Sequence, residues 1–364
     1  MRRSFQIAFF GSSLVSAYWN GAATYYRGVI RALHERGHRI TFYEPDVFER
    51  QAHRDIEDPP WAKVVVYQPQ DVYAVLEAAE GADVIVKASG VGVHDDLLER
   101  EVFALRRSHN LVVFWDVDAP ATLERIAKQP TDPFRPLIPR YDLVFTYGGG
   151  DPVVKEYLGL GARECVPIYN ALDPQTHHPV APDPRFAGLL GFLGNRLPDR
   201  EARVREFFFE PARAHGSETF LLGGNGWDDQ AGAPPNVRLL GHVYSKDHNA
   251  FNCTPRAVIN INRDSMARTG YSPPTRVFEA AGAGACLIMD AWEGIELFLE
   301  PDREVLVAFD GAEVARHLER LDESRARRIG QAALRRVLAH HTYARRALEV
   351  EATLEARAPQ EVAA

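Results

Sequence analysis

Lysine is nearly missing: five of the 42 basic residues are lysines, and the rest are arginines. Arginine's planar fork suits phosphate recognition, but so lopsided a ratio more often reflects genome composition. Cysteine is scarce as well. Cys165, Cys253 and Cys286 sit in apolar stretches (ECVPI, FNCTP, GACLIMD) without a C-x-x-C pair, which reads as reduced, buried thiols of a cytosolic protein. No apolar run approaches the ~20 residues of a membrane span. FQIAFF, after Arg2-Arg3, is too short for a signal peptide and is broken by Gly11-Ser12-Ser13. A basic surplus is absent too. The net charge of -8 argues against nucleic acid as a partner, and no basic residues interleave the aromatics in the way single strands require. The pairs His177-His178 and His340-His341 lack H-E-x-x-H spacing and a cysteine partner, so no zinc is expected.

What remains is an ordinary globular composition, 46% apolar and 25% charged over 364 residues. At about 150 residues per domain that length suggests two domains. Short apolar runs alternate with helical patterns. QIAFF, HRITFY, VVVY, DVIVK, LVVFW and LVFT read as strands, and Asn20 is a candidate cap for the helix carrying Tyr26, Ile30 and Leu33. Five prolines between 167 and 184 interrupt the pattern and mark a linker. Alternation resumes with LLGFL, TFLL, VRLL, AVINI, CLIM and VLVA, with helices near 199–214, 274–283 and 312–321. Strongly helical stretches follow at 324–339 and 343–356, and the final APQEVAA is expected to fray. The economical fold is two α/β domains, each doubly wound on a parallel sheet: residues 1–175 and 185–340, with a helix and tail at 341–364. Ligands in such sheets bind beyond the carboxyl ends of the strands.

Three loops stand at such ends. Gly11-Ser12-Ser13 follows the first strand; Gly11 either lets a ligand approach the backbone or simply makes a tight turn. No G-x-G-x-x-G pattern is present, which disfavours a nicotinamide dehydrogenase. Next, Gly194-Asn195-Arg196-Leu197-Pro198-Asp199-Arg200 follows LLGFL and opens a helix. Arg196 and Arg200 suit a diphosphate clamp, because a structural arginine at that point opposes the helix dipole. The third loop runs from Asn260 through Arg263, Tyr271, Ser272, Pro274, Thr275 and Arg276 to Glu279. A polar loop leads to a helix begun by Pro273-Pro274 and capped by Ser272, whose free amides suit a β-phosphate. Glu279, among apolar neighbours, is an enclosed carboxylate suited to ribose hydroxyls or to an arginine. Trp115-Asp116-Val117-Asp118 also ends a strand. Asp116 and Asp118 read as a general base, as acceptor-binding acids or as turn acids, with no third ligand to make a metal site. Lys87, at the end of DVIVK, suggests a charge facing a cleft.

These motifs, in this order, resemble the GT-B glycosyltransferases, and most closely the CgeB-like (spore maturation protein) group. The resemblance rests on NGAATYYRGVIRALHERGHRITFYEPD, FWDVDAPATL, GFLGNRLPDREARV, LLGGNGW, NVRLLGHV, NINRDSMARTGYSPPTRVFEA and PDREVLVAFDGAEVARHLERL. It implies two Rossmann-like domains facing across a cleft, with helix 343–356 crossing back onto the first. A nucleotide-diphosphate sugar is then the donor, held by Asn195, Arg196, Arg200, Arg263, Tyr271, Ser272, Pro274, Thr275, Arg276 and Glu279. The acceptor, of unknown identity, enters beside a loop containing Gly11, Ser12 and Gly21, and Asp116, Asp118 and Lys87 are the catalytic candidates. Transfer is expected in the cytoplasm without a metal cofactor. The pattern departs from the E-x7-E pair of many retaining members, since Tyr271 stands where the first acid would be. Two rival readings stay open: an epimerase or hydrolase of nucleotide sugars on the same fold, and a non-catalytic binder of such sugars.

Overall fold

Continuous β-branched and aromatic runs such as VIVKA and LVVFWD are apolar on both faces, which suits strands covered by helices on both sides of a parallel sheet. A computed structural model describes residues 3–18, 20–227 and 232–358; the tail at 359–364 lies outside them. The chain divides into two compact units, Met1–Asn170 with Tyr343–Ala364, and Ala171–Thr342.

The first unit runs β1 (Gln6–Phe10), α1 (Ala23–Glu35), β2 (Arg39–Pro45), β3 (Lys63–Tyr67), α2 (Val72–Ala78), β4 (Val84–Ala88), α3 (Asp95–Glu101), β5 (Leu111–Asp116), α4 (Ala119–Lys128), β6 (Leu143–Thr146), α5 (Gly150–Gly159) and β7 (Cys165–Pro167). All seven strands are parallel, in the order β3-β2-β1-β4-β5-β6-β7. Phe10, Ile85, Phe114, Phe134, Tyr141 and Tyr157 are among the side chains of one continuous core. Asn20 does not cap α1. The cap position is Ala22, and the Asn20 amide instead donates to Ser13 O and Ser16 O, tying the loop after β1 to itself.

The second unit runs β8 (Leu190–Leu193), α6 (Pro198–Val204), α7 (Glu210–Ala214), β9 (Phe220–Gly223), β10 (Val237–Gly241), α8 (His248–Cys253), β11 (Ala257–Asn260), α9 (Asp264–Thr269), α10 (Thr275–Gly282), β12 (Leu287–Asp290), β13 (Leu306–Ala308), α11 (Gly311–Glu319) and α12 (Glu323–His340). Its six parallel strands lie in the order β10-β9-β8-β11-β12-β13. The helix expected over 199–214 is broken by a π-turn at Arg205–Phe209. Three successive phenylalanines cannot share one face of a 3.6-residue helix, and the wider turn buries Phe207, Phe208 and Phe209 together. The polar loop expected after β11 contains a short helix, α9.

The last helix, α13 (Tyr343–Arg357), belongs to the first unit and packs on α1. There a Cβ at Gly28 would lie 2.2 Å from the Tyr343 ring, so only glycine admits the contact. Arg36 pairs with Glu351 across the two helices. The three cysteines are free thiols, and burial pushes Cys165 and Cys286 up to about 12.

Candidate functional site

In the second sheet the chain leaves β8 toward β9 on one side, while β11 lies on the other. Connections that diverge from adjacent strands open a crevice at their carboxyl ends. Two segments reach it: the 194–197 loop with α6, and the stretch from Ile261 through α9 to α10. The first is locked by its neighbours. Gly194 N–H donates to Gly223 O at 2.9 Å, and the Trp227 indole donates to Gly194 O at 2.8 Å. A Cβ at Gly224 (φ +128°) would sit 2.3 Å from Gly194 O, so glycine is what lets the two loops touch.

Two guanidiniums here, Arg200 buried and Arg276 half-buried, form no salt bridge among the described residues. Arg200, in the first turn of α6, is 7% exposed. Its Nη1 donates to Asn195 O at 3.3 Å, and its Nε has no partner. Burial, and then the charge of Arg276, pull its pKa down to about 9. Arg276, in the first turn of α10, donates Nη1 to Asn260 Oδ1 at 3.1 Å and packs over the Phe192 ring. Burial lowers its pKa as well, opposed by Glu279 and Asp290. Among the described residues neither forms a salt bridge. Burying a charge is costly unless it is paired, and a like charge nearby adds to that cost.

An anion would relieve the conflict, and other unsatisfied donors lie on the same segment. Ser272 is 3% exposed and its Oγ has no partner. It does not cap α10: the cap position is Pro274, which has no side-chain acceptor to offer, so the first-turn amides of Thr275 and Arg276 receive no side-chain cap. Tyr271 is held in a left-handed conformation (φ 48°). Its N–H donates to Glu293 O at 2.7 Å and its hydroxyl to Glu293 Oε1 at 2.8 Å.

The remaining arginines are matched with acids. Arg196 forks onto Glu201 at 2.9 and 3.0 Å and donates to Gly226 O, and it draws the Glu201 acid down to about 2, with Arg205 assisting. Arg263 donates to Asp199 at 2.7 Å. The sequence reading paired Arg196 with Arg200; in the structure Arg200 is neighboured by Arg276 instead. Asn195 Oδ1 accepts from Asn225 N–H at 3.0 Å and shapes the loop. Arg203 and Asp290 escaped the sequence reading. Arg203 donates to the fully buried Asp290 at 2.7 Å, and burial raises the Asp290 acid despite that bond. The signal was available, since Asp290 ends the strand CLIMD. Glu279 is half-buried one turn beyond Arg276 and lies beside His177 and His248, the ligand-capable atoms of all three falling within 4.8 Å of one another.

In the first unit the expected residues are deeply engaged. Lys87 has no exposed surface and bonds Asp95 at 2.6 Å and Ala88 O at 2.7 Å, with Glu99 at 3.9 Å. Asp116 is equally buried. Its Oδ1 accepts from Ser89 Oγ, Asp118 N–H and Thr122 Oγ1 and its Oδ2 from Tyr157 OH, so the carboxylate is held from four sides inside the fold. Asp118 differs: it is half-exposed at the start of α4. A Cβ at Gly11 would fall 2.4 Å from the Phe42 ring, so that glycine makes room for packing. Ser12 is buried against Asn20, while Gly21 is exposed with open space around it.

Sucrose-phosphate synthase from Thermosynechococcus elongatus superposes with a TM-score of 0.72 at 13% identity, over 97% of this chain and 99% of its own. The fold is GT-B. Anabaena HepE in complex with UDP and glucose gives 0.68 at 14% identity, over 97% and 100%. The lipopolysaccharide outer core galactosyltransferase WaaB gives 0.62 at 13%, over 96% and 99%. A family model described as glycosyl transferase-like matches residues 200–352, from Arg200 into α13. No curated protein sequence matches the chain. No described helix of this GT-B chain is long and apolar enough to cross a membrane.

Proposed function

We infer that the protein is a cytoplasmic, CgeB-like glycosyltransferase that takes a sugar from a nucleoside-diphosphate donor and gives it to an acceptor hydroxyl. One observation carries the reading: the half-buried Arg276 depresses the charge of the buried Arg200, with no acid in a salt bridge to either among the described residues, at the carboxyl edge of a doubly wound sheet. A diphosphate supplies the charge they lack. Its β-phosphate is received by the amides of Thr275 and Arg276 and by the Ser272 hydroxyl, with Pro274 setting the entry to α10 and Tyr271 shaping the loop before it. Glu279 accepts from the ribose hydroxyls. Asn195, Arg196 and Arg263 hold the surrounding loops in place.

In the transfer step the acceptor oxygen forms a bond to the anomeric carbon. The bond from that carbon to the phosphate oxygen breaks, and the electron pair leaves with the nucleoside diphosphate. Charge grows on the leaving group, and preorganised donors aimed at growing charge are usually the largest catalytic contribution. Two guanidiniums and a helix terminus fill that role here without a metal. On the first domain, Asp118 is the acid offered to an acceptor proton, while Asp116 and Lys87 fix the strand ends behind it. The loop of Gly11, Ser12 and Gly21 borders the acceptor side.

UDP is the first donor base to try, since HepE was crystallised with UDP and glucose. The test is a thermal-shift screen of nucleoside mono- and diphosphates and their sugars, followed by product analysis with and without acceptors. At a hundred times its dissociation constant a true ligand stabilises by about 2.7 kcal/mol. A screen in which no diphosphate stabilises more than its monophosphate refutes the reading. Sugar released only to water, or isomerised on the nucleotide, refutes transfer.

A further inference from the structure

His177 comes from the proline-rich segment before β8, His248 opens α8, and Glu279 lies in the middle of α10. Sequence spacing gives no hint that they meet, yet their ligand-capable atoms lie within 4.8 Å of one another and the two imidazoles are 6.4 Å apart, centre to centre. All three side chains are half-buried, so the cluster is reachable. What distinguishes it from a chance meeting is the state of the rings. Val243 O, a pure acceptor, lies 3.2 Å from His248 Nε2, so that nitrogen carries the proton and Nδ1 keeps its lone pair. His177 Nδ1 lies 3.0 Å from Thr176 Oγ1, and that hydroxyl already donates to Asp173 O. The hydroxyl therefore accepts from Nδ1–H, and Nε2 of His177 keeps its lone pair. Metal-ligating histidines are oriented in this way, the far nitrogen donating to a carbonyl or hydroxyl oxygen while the near one faces the ion. The segment bearing His177 is itself anchored to α8, since Asn249 donates to Thr176 O at 2.9 Å.

We propose that His177, His248 and Glu279 form a three-ligand site for a zinc-class divalent cation, with a fourth position open, and that an ion held there withdraws Glu279 from the nucleotide. Two neutral imidazoles and one carboxylate are an established donor set for zinc, with bonds of about 2.0–2.2 Å. Half-buried side chains reach that spacing by small rotations. The second half of the proposal rests on the donor reading of Glu279. A carboxylate oxygen given to the cation, and turned toward it, is taken from the pair of oxygens that two ribose hydroxyls would use, so the cation competes with the nucleotide and inhibits transfer.

The experiment titrates the full chain, freed of metal by chelation, with zinc chloride in a calorimeter, and with cobalt chloride for its visible ligand-field bands. One equivalent should bind. His177→Ala and His248→Ala should each weaken zinc by at least the roughly 10–100-fold that loss of an outer partner alone costs, and Thr176→Val, which removes only such a partner, should fall inside that range. Circular dichroism checks that each variant is folded, and His177→Gln serves if His177→Ala is not. Zinc should weaken UDP binding to the wild type and leave UDP binding to the histidine variants insensitive to zinc. Zinc binding that is absent, or unchanged in both histidine variants, overturns the site. Zinc that binds without affecting UDP overturns the competition. Because the zinc titration needs no nucleotide, a failure of the donor reading, seen as no UDP binding at any zinc level, is distinguishable from a failure of the metal site.

Discussion

Replacing Arg200 by methionine should stabilise the free protein and abolish nucleotide binding, a pair of signs that no purely structural role produces. The guanidinium is driven from its ordinary 12.5 to about 9 by burial and by Arg276, while remaining cationic at neutral pH. Holding it charged in the native state therefore costs at most about 5 kcal/mol. Methionine removes that cost. It also removes the single bond to Asn195 O, worth about 1 kcal/mol, and leaves a void worth about 1–2 kcal/mol more. The balance is a gain of about 1–3 kcal/mol, or a melting temperature higher by roughly 2–10 °C. Arg276→Met relieves the same repulsion, so the two gains should not add in the double variant. With UDP present the order reverses: the wild type gains stability and Arg200→Met does not. Scanning fluorimetry with and without UDP, beside calorimetric titration, reads both signs. A variant that melts lower than the wild type and still binds UDP refutes the reasoning.

Three further outcomes are expected. Glu279→Gln should weaken UDP by about tenfold, the equivalent of 1.4 kcal/mol, while the melting temperature in the absence of ligand barely moves; the opposite ordering assigns Glu279 to the framework. Gly330→Ala should destabilise by about 1–3 kcal/mol with UDP affinity intact, because the added Cβ would lie 2.1 Å from Gly284 O; calorimetric unfolding and titration check the two halves. Glu99 is buried beside Lys87, and burial lifts its acid from 4.5 to about 7. A raised acid favours the protonated fold, so its contribution is fully present below pH 4.5 and is lost as pH rises through 7. Glu99→Gln should flatten that part of the stability-pH profile and add about 3 kcal/mol at pH 8, as read by urea denaturation at each pH.

The strands were legible because their apolar runs are unbroken, and so were the loops at their ends. Charge partners were not. Arg196 and Arg200 look alike in GNRLPDRE, but Glu201 lies within reach of Arg196 and no acid reaches Arg200. Helical spacing puts Arg200 and Glu201 side by side in sequence, yet their side chains leave α6 about 100° apart. Lys87 and Asp116 were read as cleft charges because each ends a strand. Only the fold shows that α3 brings Asp95 to the first, and that α5 brings Tyr157 to the second. His177 and His248 are 71 residues apart in sequence, and nothing in local pattern joins a proline-rich connection to the start of α8.

A buried arginine is not by itself a ligand site, and the first unit contains the comparison that shows why. Arg50 is 5% exposed, much like Arg200, and burial lowers its pKa too. Its Nη1, however, donates to Ser12 O at 3.0 Å and to Val91 O at 3.2 Å, and Glu44 and Asp95 hold its charge in place electrostatically. Two carbonyls thus hold its Nη1, although its Nε, like that of Arg200, has no hydrogen-bond partner. Arg200 has one long bond and a second guanidinium for its neighbour. Desolvation is common to the two; only at Arg200 do neighbouring guanidiniums add to it, against the pull of Asp199 and Asp290. If selection kept Arg200 for stability alone, an apolar side chain would serve better at lower cost. An anion from outside would complete the set at Arg200, and that is why the sign of the Arg200→Met stability change discriminates so sharply.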